Sequence, residues 1–498
     1  MSKRKRPAAP EPPVSSLDTA LARFRPLLSA GDFAALMEEL ERPLYPALRA
    51  NPLKCDPQLA LPAWAARYTW QTQPVPFCRT GIQVLDSPAP ISQTPEHRLG
   101  FYYIQDAASM LPVELFDFDG LASPLILDLA ASPGGKTTHL ISRSGDRGLV
   151  IANDSSQDRL AALRIVLQNW GAVSSAVTHF PGEKFGAWFP ATFDRVLLDA
   201  PCSMQGLHAA EGRPMRSITA REQASLANRQ AGLLESALRA VKVGGQVVYS
   251  TCTLSPEEDE GVLDALLQQY HGAVSIDDLT PCLGRPAPAL TADGERTYDP
   301  AVQQAARLWP QVFGTAGFFA ARLTKLATLP VSAQEPPSRS LAHAGFEPLE
   351  RRLAASLLAR LMDLYGWDGA SFLEQYGLEL WKRGPIVYLL PMAYLRQFGY
   401  FPVQSLGMVL GEDAPEGFLP SHEWAARFGL ALPAGICRLP PERVAAWLRG
   451  EDIQGHPDTS LLPGGIAIVR DEEGRLLGRG KVLSGRLKNL LPRRVISS

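Results

Sequence analysis

The sequence predicts an α/β protein built on a parallel sheet with helices on both faces. Three observations carry this reading. Between residues 125 and 325, apolar runs of strand length alternate with helical patterns. Most of these runs are apolar throughout rather than at every second residue, as in strands buried on both faces. Small and polar residues cluster directly after the runs, where the ligands of such sheets bind.

The elements follow in order. LILDLA (125–130) is the first strand, leading through a Gly-rich turn into a helix from about Lys136. GLVIAND (148–154) is the second, and DRLAALRIVLQNWG its helix, ending at Gly171. SAVTHF (175–180) and FDRVLLDAP (193–201) are the third and fourth, with a long helix at roughly 219–241. GGQVVYSTC is the fifth, followed by the helix SPEEDEGVLDALLQQY. There Ser255 suits the N-cap, Pro256 the first helical position, and Glu258 completes a capping box. GFFAARLTK (317–325) closes the series without a helix after it. Upstream, residues 17–50 have apolar residues at helical spacing, and the stretch to about 120 mixes short strands and helices. Downstream, VSAQEPPSRS (331–340) reads as a linker, LERRLAASLLARLMDLYG as a helix, and the remainder from about 384 as short strands and turns.

Composition sets limits. The 498 residues allow two to four domains, and 46% hydrophobic against 20% charged residues is a globular balance. No apolar run approaches the ~20 residues of a membrane span. MSKRKRPAAPEPPVSS is basic and then Pro-rich, without the apolar segment of a secretory signal, and is expected to be a disordered arm. The six cysteines (Cys55, Cys78, Cys202, Cys252, Cys282, Cys437) are irregularly spaced with no CxxC. That argues against a disulfide framework or a metal site and for a reducing cytoplasm. A net charge of −2 excludes coating nucleic acid by bulk charge but not a basic patch. Residues 470–498 carry eight basic side chains against three acidic ones, a solvated tail or a phosphate-binding face.

The turn in LDLAASPGGKTTHL has three readings. A P-loop needs glycine five residues before Gly135, where Ala130 stands. A dinucleotide GxGxxG is absent. The loop fits an S-adenosylmethionine enzyme, in which small residues let the backbone approach the cofactor. An acid then ends the second strand to bind ribose; Asp154 does so, 26 residues after Asp128. Asp199 ends the fourth strand, and an acid in RVLLDAPC is costly to bury without a partner.

Cys202 follows the fourth strand and Cys252 the fifth, the latter expected beside a helix N-terminus that favours thiolate. A thiolate, a carboxyl group and a methyl donor suit methylation at carbon 5 of cytosine. Thiolate addition to carbon 6 makes carbon 5 nucleophilic, and a carboxyl group at nitrogen 3 stabilises the adduct. A base must later remove the carbon 5 proton.

These motifs carry a resemblance. ASPGGKT (131–137), AND…R (152–159), DAPCS (199–203) and STC (250–252) resemble the Sun family of RNA cytosine-5 methyltransferases. ALRANPLK (47–54) resembles an element of that family's N-terminal RNA-contacting region, and YYIQDAASMLPVELFD (102–117) the helix before its cofactor domain. RLWPQVFGTAGFFAARL (307–323) resembles its closing strands. AAWLRGEDI (445–453) and GRGKVLSGRLKNLLPRR (478–494) resemble the PUA-like module of its bacterial ribosomal RNA branch. The resemblance covers about residues 17–498 and implies a Rossmann-like class I methyltransferase sheet between an N-terminal α+β RNA-contacting region and a C-terminal PUA-like β-rich module. It implies Cys252 as the nucleophile, Cys202 as the thiol assisting release, and Asp199 as the group on the base. DNA cytosine-5 methyltransferases instead use the PC-motif cysteine and lack a TC partner.

S-adenosylmethionine would be held by Ala130, Ala131, Ser132, Pro133, Gly134, Gly135, Lys136, Asp154 and Asp199. The partner would be small-subunit ribosomal RNA or the 30S subunit, acted on by a monomer without membrane or metal. Transfer RNA as substrate, or a non-catalytic RNA-binding assembly factor, are the alternatives. The expected organisation is an arm (1–16), N-terminal region (17–120), methyltransferase domain (121–328), linker (329–345), helical connector (346–383) and PUA-like module (384–498). Two positions depart from the family pattern. Met204 replaces a glycine after the PC-motif Ser, and Pro181 stands where an adenine-contacting Asp is common.

Overall fold

The apolar runs become one sheet because each alternates its side chains between two cores. In the computed structural model, which describes residues 21, 23–206, 218–294, 296–415, 417–455 and 459–496, Leu127 and Leu198 point to one face and Ile126 and Leu197 to the other. The N-terminal arm lies outside the described residues. The strands are β1 (Leu125–Asp128), β2 (Leu149–Asn153), β3 (Ser175–Thr178), β4 (Phe193–Asp199), β5 (Val241–Thr251), β6 (Val274–Ile276) and β7 (Phe318–Lys325). They lie in the order β3-β2-β1-β4-β5-β7-β6. β1 to β5 are parallel; β7 runs antiparallel to β5, and β6 to β7. Strand order reverses between β1 and β4, which opens a crevice at their carboxyl ends. The expected Rossmann-like sheet is therefore present.

Helices α1 (Gly135–Arg143) and α2 (Leu160–Trp170) bury Leu140, Leu163 and Leu167 against one face. Helices α3 (Ala220–Ala240) and α4 (Glu260–Gln269) bury Leu233, Leu234, Val262 and Leu263 against the other. Thr219 caps α3 in a complete capping box with Glu222. The capping box expected at Ser255 does not form. Residues 256–259 make turns instead, with Gly261 N–H donating to Pro256 C=O at 2.8 Å, and α4 starts at Glu260. Glu258 has turned to a different partner, described below.

Other expectations need correction. Among the described residues of 17–50, the helical pattern yields a 3-10 turn at Arg25–Leu27 and the helix Ala30–Leu40, capped by Ser29. Pro43 and Pro46 follow it, and Ala47–Ala50 is a strand. The segment 102–117, expected to be a helix, begins as the strand Tyr102–Gln105 and continues into two single turns around Pro112. That strand, Ala47–Ala50, Gln71–Val75 and Cys78–Asp86 form an antiparallel N-terminal sheet. The boundary expected at 383/384 falls in the turn of a hairpin, Leu378–Arg383 with Ile386–Pro391. Gly384 adopts φ +58° before Pro385, so a turn signal had the look of a domain edge. That hairpin belongs to a five-stranded sheet reaching Pro420, and a further five-stranded sheet spans Ile436–Asn489.

The C-terminal half is continuous with the central sheet. Ser405–Leu406 pairs antiparallel with β3, and Phe398 and Phe401 pack on Phe189 and Phe193. No helix is long and apolar enough to cross a membrane among the described residues.

Candidate active site

A cavity of about 260 Å³ lies at the carboxyl ends of β1 and β4. Asp128, Ala130, Ala131, Ser132, Pro133, Gly135, Lys136 and Asp199 line one side. Tyr103, Ile104, Gln105 and Ser109, from the N-terminal region, line the other. Gly135 is dictated by that approach, since a Cβ would lie 2.7 Å from the Tyr103 ring and 3.0 Å from Gln105 Oε1. Gly134, at φ +113°, serves a different contact: a Cβ there would crowd Val166 and Leu163 of α2. It does not line the cavity.

Asp128 is fully buried at the end of β1. Its Oδ2 accepts from Thr137 Oγ1 at 2.7 Å, and its Oδ1 has no protein partner. Burial raises its pKa to about 7. Asp199 is tied at both oxygens, to Lys136 Nζ at 2.8 Å and to Ser250 Oγ at 2.9 Å. Burial works against the Lys136 charge, but the Asp199 carboxylate outweighs it and holds the ammonium above its usual range. Asp154 faces the loop backbone: Ser132 N–H and Ser156 N–H donate to its two oxygens at 3.1 and 2.8 Å.

The two thiols meet beside this cavity. β4 and β5 pair Asp199 with Ser250, so the residues just past both strands converge. Cys202 Sγ and Cys252 Sγ are 3.2 Å apart, and Cys252 is exposed. The contact lowers the Cys252 pKa and, together with burial, raises that of Cys202 well above its usual range. Of the two hydrogen-bonded thiols, Cys252 is therefore the more acidic and Cys202 the less acidic. The helix N-terminus expected to favour the thiolate begins eight residues later, so this contact replaces it. Met204 adopts φ +56° and is 77% exposed two residues past Cys202. Pro181 is exposed and does not line the cavity.

Comparison with known proteins places this arrangement. Residues 121–324 match the family described as 16S rRNA methyltransferase RsmB/F. Residues 19–107 match the N-terminal domain of 16S rRNA methyltransferase RsmF, and 436–496 the methyltransferase RsmF PUA domain. Ribosomal RNA small subunit methyltransferase F of Aeromonas hydrophila is 34% identical over 94% of both chains. Its Klebsiella pneumoniae counterpart is 35% identical over 94% of this chain and 93% of its own. The chain belongs to the RsmB/F family. It is an RNA methyltransferase with S-adenosylmethionine as cofactor, as its motifs implied. A methyltransferase homolog protein from Pyrococcus horikoshii shares 30% identity and a TM-score of 0.52, covering 62% of this chain and 99% of its own. NSun6 from the same organism, solved with SFG, shares the fold at 19% identity and TM-score 0.51, covering 62% and 97%.

The cavity fits that cofactor. The unpartnered Asp128 Oδ1 is an acceptor for an ammonium, and the small residues at 130–132 let a ligand reach the backbone. Asp128 was not among the site residues expected from sequence; its place at a strand end before the turn was the available signal. Tyr103 and Gln105 had no local signal, because their approach depends on how two sheets pack.

RANPLK has turned inward. Arg49 donates to Gly135 C=O and Thr138 Oγ1, Asn51 to Gly100 and Trp170 C=O, and Lys54 to Leu99 and Asn169 C=O. All three are buried, so this element holds the N-terminal sheet to α1 and α2. Cys78, Glu114 and His139 also cluster within 4.8 Å. His139 Nε2 and Arg143 both bond Glu114 at 3.0 Å, and burial, then Arg49, depress the His139 pKa to about 4.

Proposed function

We propose that this enzyme methylates carbon 5 of cytosine in small-subunit ribosomal RNA, in the cytoplasm, through a covalent adduct. The Cys202–Cys252 contact of 3.2 Å beside the Lys136–Asp199 pair carries the reading. Two neighbouring thiols of unequal acidity suit a reaction that needs a nucleophile first and a proton acceptor later. Cys252 thiolate adds to carbon 6, and Asp199 hydrogen-bonds the base at nitrogen 3. S-adenosylmethionine supplies the methyl group. Cys202, once its own proton has passed to solvent, takes the carbon 5 proton as the bond from Cys252 Sγ to carbon 6 breaks and the ring double bond re-forms. This returns the pair to one thiol and one thiolate, with one proton released to solvent.

Residues 130–136 and Asp128 would hold the methionine end of the cofactor, and Asp154 its ribose through lone pairs left beside its two amide bonds. The target base must leave its stack to reach this site. The relatives named for the small ribosomal subunit RNA support that substrate class. Mapping 5-methylcytosine in ribosomal and transfer RNA from cells with and without the gene tests the proposal. A site lost from small-subunit RNA alone is expected; loss confined to transfer RNA, or none at all, would refute it.

A further inference from the structure

Sheet pairing does not set the position of Cys202. The last ladder contact near β4 is Ala200 N–H to Ser250 C=O at 2.8 Å, and residues 201–206 form neither helix nor strand. Three side chains take over, one of them Thr253, whose Oγ1 lies 3.0 Å from Ser203 Oγ. Gln230, on α3, donates through Nε2 to Pro201 C=O at 3.0 Å, and Ser203 N–H donates to Glu258 Oε2 at 3.0 Å. Gln230 Nε2 also donates to that same Glu258 oxygen at 2.9 Å. One carboxylate oxygen thus joins the residues on both sides of Cys202.

The arrangement is costly to build. Gln230 and Glu258 are both fully buried. Glu258 stands beside Asp259 and Glu260, yet the buried cation Arg307 reaches only those two. Among the described residues no cation lies within ion-pair distance of Glu258, and its Oε1 has no hydrogen-bond partner. A buried carboxylate with two neutral donors is poorly compensated. Ordinary helix capping does not explain it, since α4 begins beyond it at Glu260. The Tyr249 hydroxyl donates to the Glu258 carbonyl, which fixes the backbone of the clamp as well.

We propose that Glu258 and Gln230 are positioning residues that aim Cys202 at the carbon 5 proton. The inference rests on the two-thiol reading above. Neither side chain touches the base. They hold the Pro201–Ser203 backbone so that the Cys202 thiol stays in contact with Cys252 and returns to it after the adduct forms. Loosening the clamp slows release and leaves attack intact, which is a narrower effect than loss of fold.

The test compares Glu258→Gln, Gln230→Met and Cys202→Ala with the wild type on 16S ribosomal RNA, offered free and in the 30S subunit. S-adenosylmethionine binding and melting temperature check that each variant is folded. Displacement of a reacting group by about 1 Å costs on the order of 10²-fold in rate. Both clamp variants are therefore expected to release product about 10²-fold more slowly and to accumulate a covalent RNA–protein band in denaturing gels, as Cys202→Ala does. Combined with Cys202→Ala, they should trap no more RNA than it does alone. If Cys202→Ala traps RNA but the folded clamp variants turn over normally, or lose adduct and product together, the clamp assignment is wrong. If Cys202→Ala itself traps nothing, the two-thiol reading fails and takes the clamp with it. Gln230→Met keeps the test decisive should Glu258→Gln not fold.

Discussion

RANPLK (49–54) and STCTLSPEE (250–258) look alike in the sequence, each a short segment rich in polar residues between apolar stretches. The fold uses them in opposite ways. Arg49, Asn51 and Lys54 end on main-chain carbonyls of other elements, with one further bond from Arg49 to Thr138 Oγ1. The second segment converges on groups around an opening: Ser250 on the Asp199 side chain, Cys252 on the Cys202 side chain, and Glu258 on Gln230 and the Ser203 N–H of the loop beside them. What a buried polar group bonds to separates the two cases better than burial does. Carbonyl acceptors from several elements signal a joint between parts of the fold. Side-chain partners that leave a thiol exposed signal a place for chemistry.

The comparison breaks if the two segments fail alike. Cys252→Ala is the largest expected effect. It should lower methylation by more than about 10³-fold and abolish the covalent adduct, with the melting temperature unchanged. Radiolabelled methyl transfer and denaturing gels measure both, and retained activity would overturn the nucleophile assignment. Asn51→Ala should do the reverse. It strands Gly100 and Trp170 carbonyls and should cost about 2–4 kcal/mol in chemical denaturation, while the folded fraction keeps its rate.

Lys54 sharpens the contrast through pH. Burial, followed by Arg427, lowers its folded pKa to about 7 from the ordinary 10.5. Between those values the unfolded chain holds a proton that the native chain has lost, so stability gains from this group as pH rises. Below about pH 7 both states are protonated and the contribution is flat. Wild type should therefore gain stability relative to Lys54→Met between pH 7 and 10. Parallel unfolding curves would show that the ammonium is not held as the structure indicates.

Much of the catalytic half was legible. Most of the five parallel strands are centred on continuous apolar runs bounded by turn residues. The closeness of the two thiols and Asp199 was readable because all three stand at or just past the ends of neighbouring strands. Glu258 was misplaced for a definite reason: a capping box and a loop clamp have the same local sequence, and only the tertiary position of Ser203 chooses between them. Pro112 and the closeness of Gly135 to Tyr103 hid the far wall of the cavity in the same way. The hairpin turn at Gly384–Pro385 passed for a domain edge because turns and linkers share residues.

Ser405–Leu406 bears on how the molecule can be divided. These two residues cover the open edge of β3, and Phe398 and Phe401 seal the face beside it. A chain shortened to its catalytic segment would bare a row of unpaired amides and an aromatic face, a template for self-association. The shortest version that keeps the sheet closed must run past Leu406, whereas a cut near residue 435 removes only the part matching the PUA domain. The catalytic sheet is thus not a detachable cassette: its last strand comes from more than two hundred residues further along the chain.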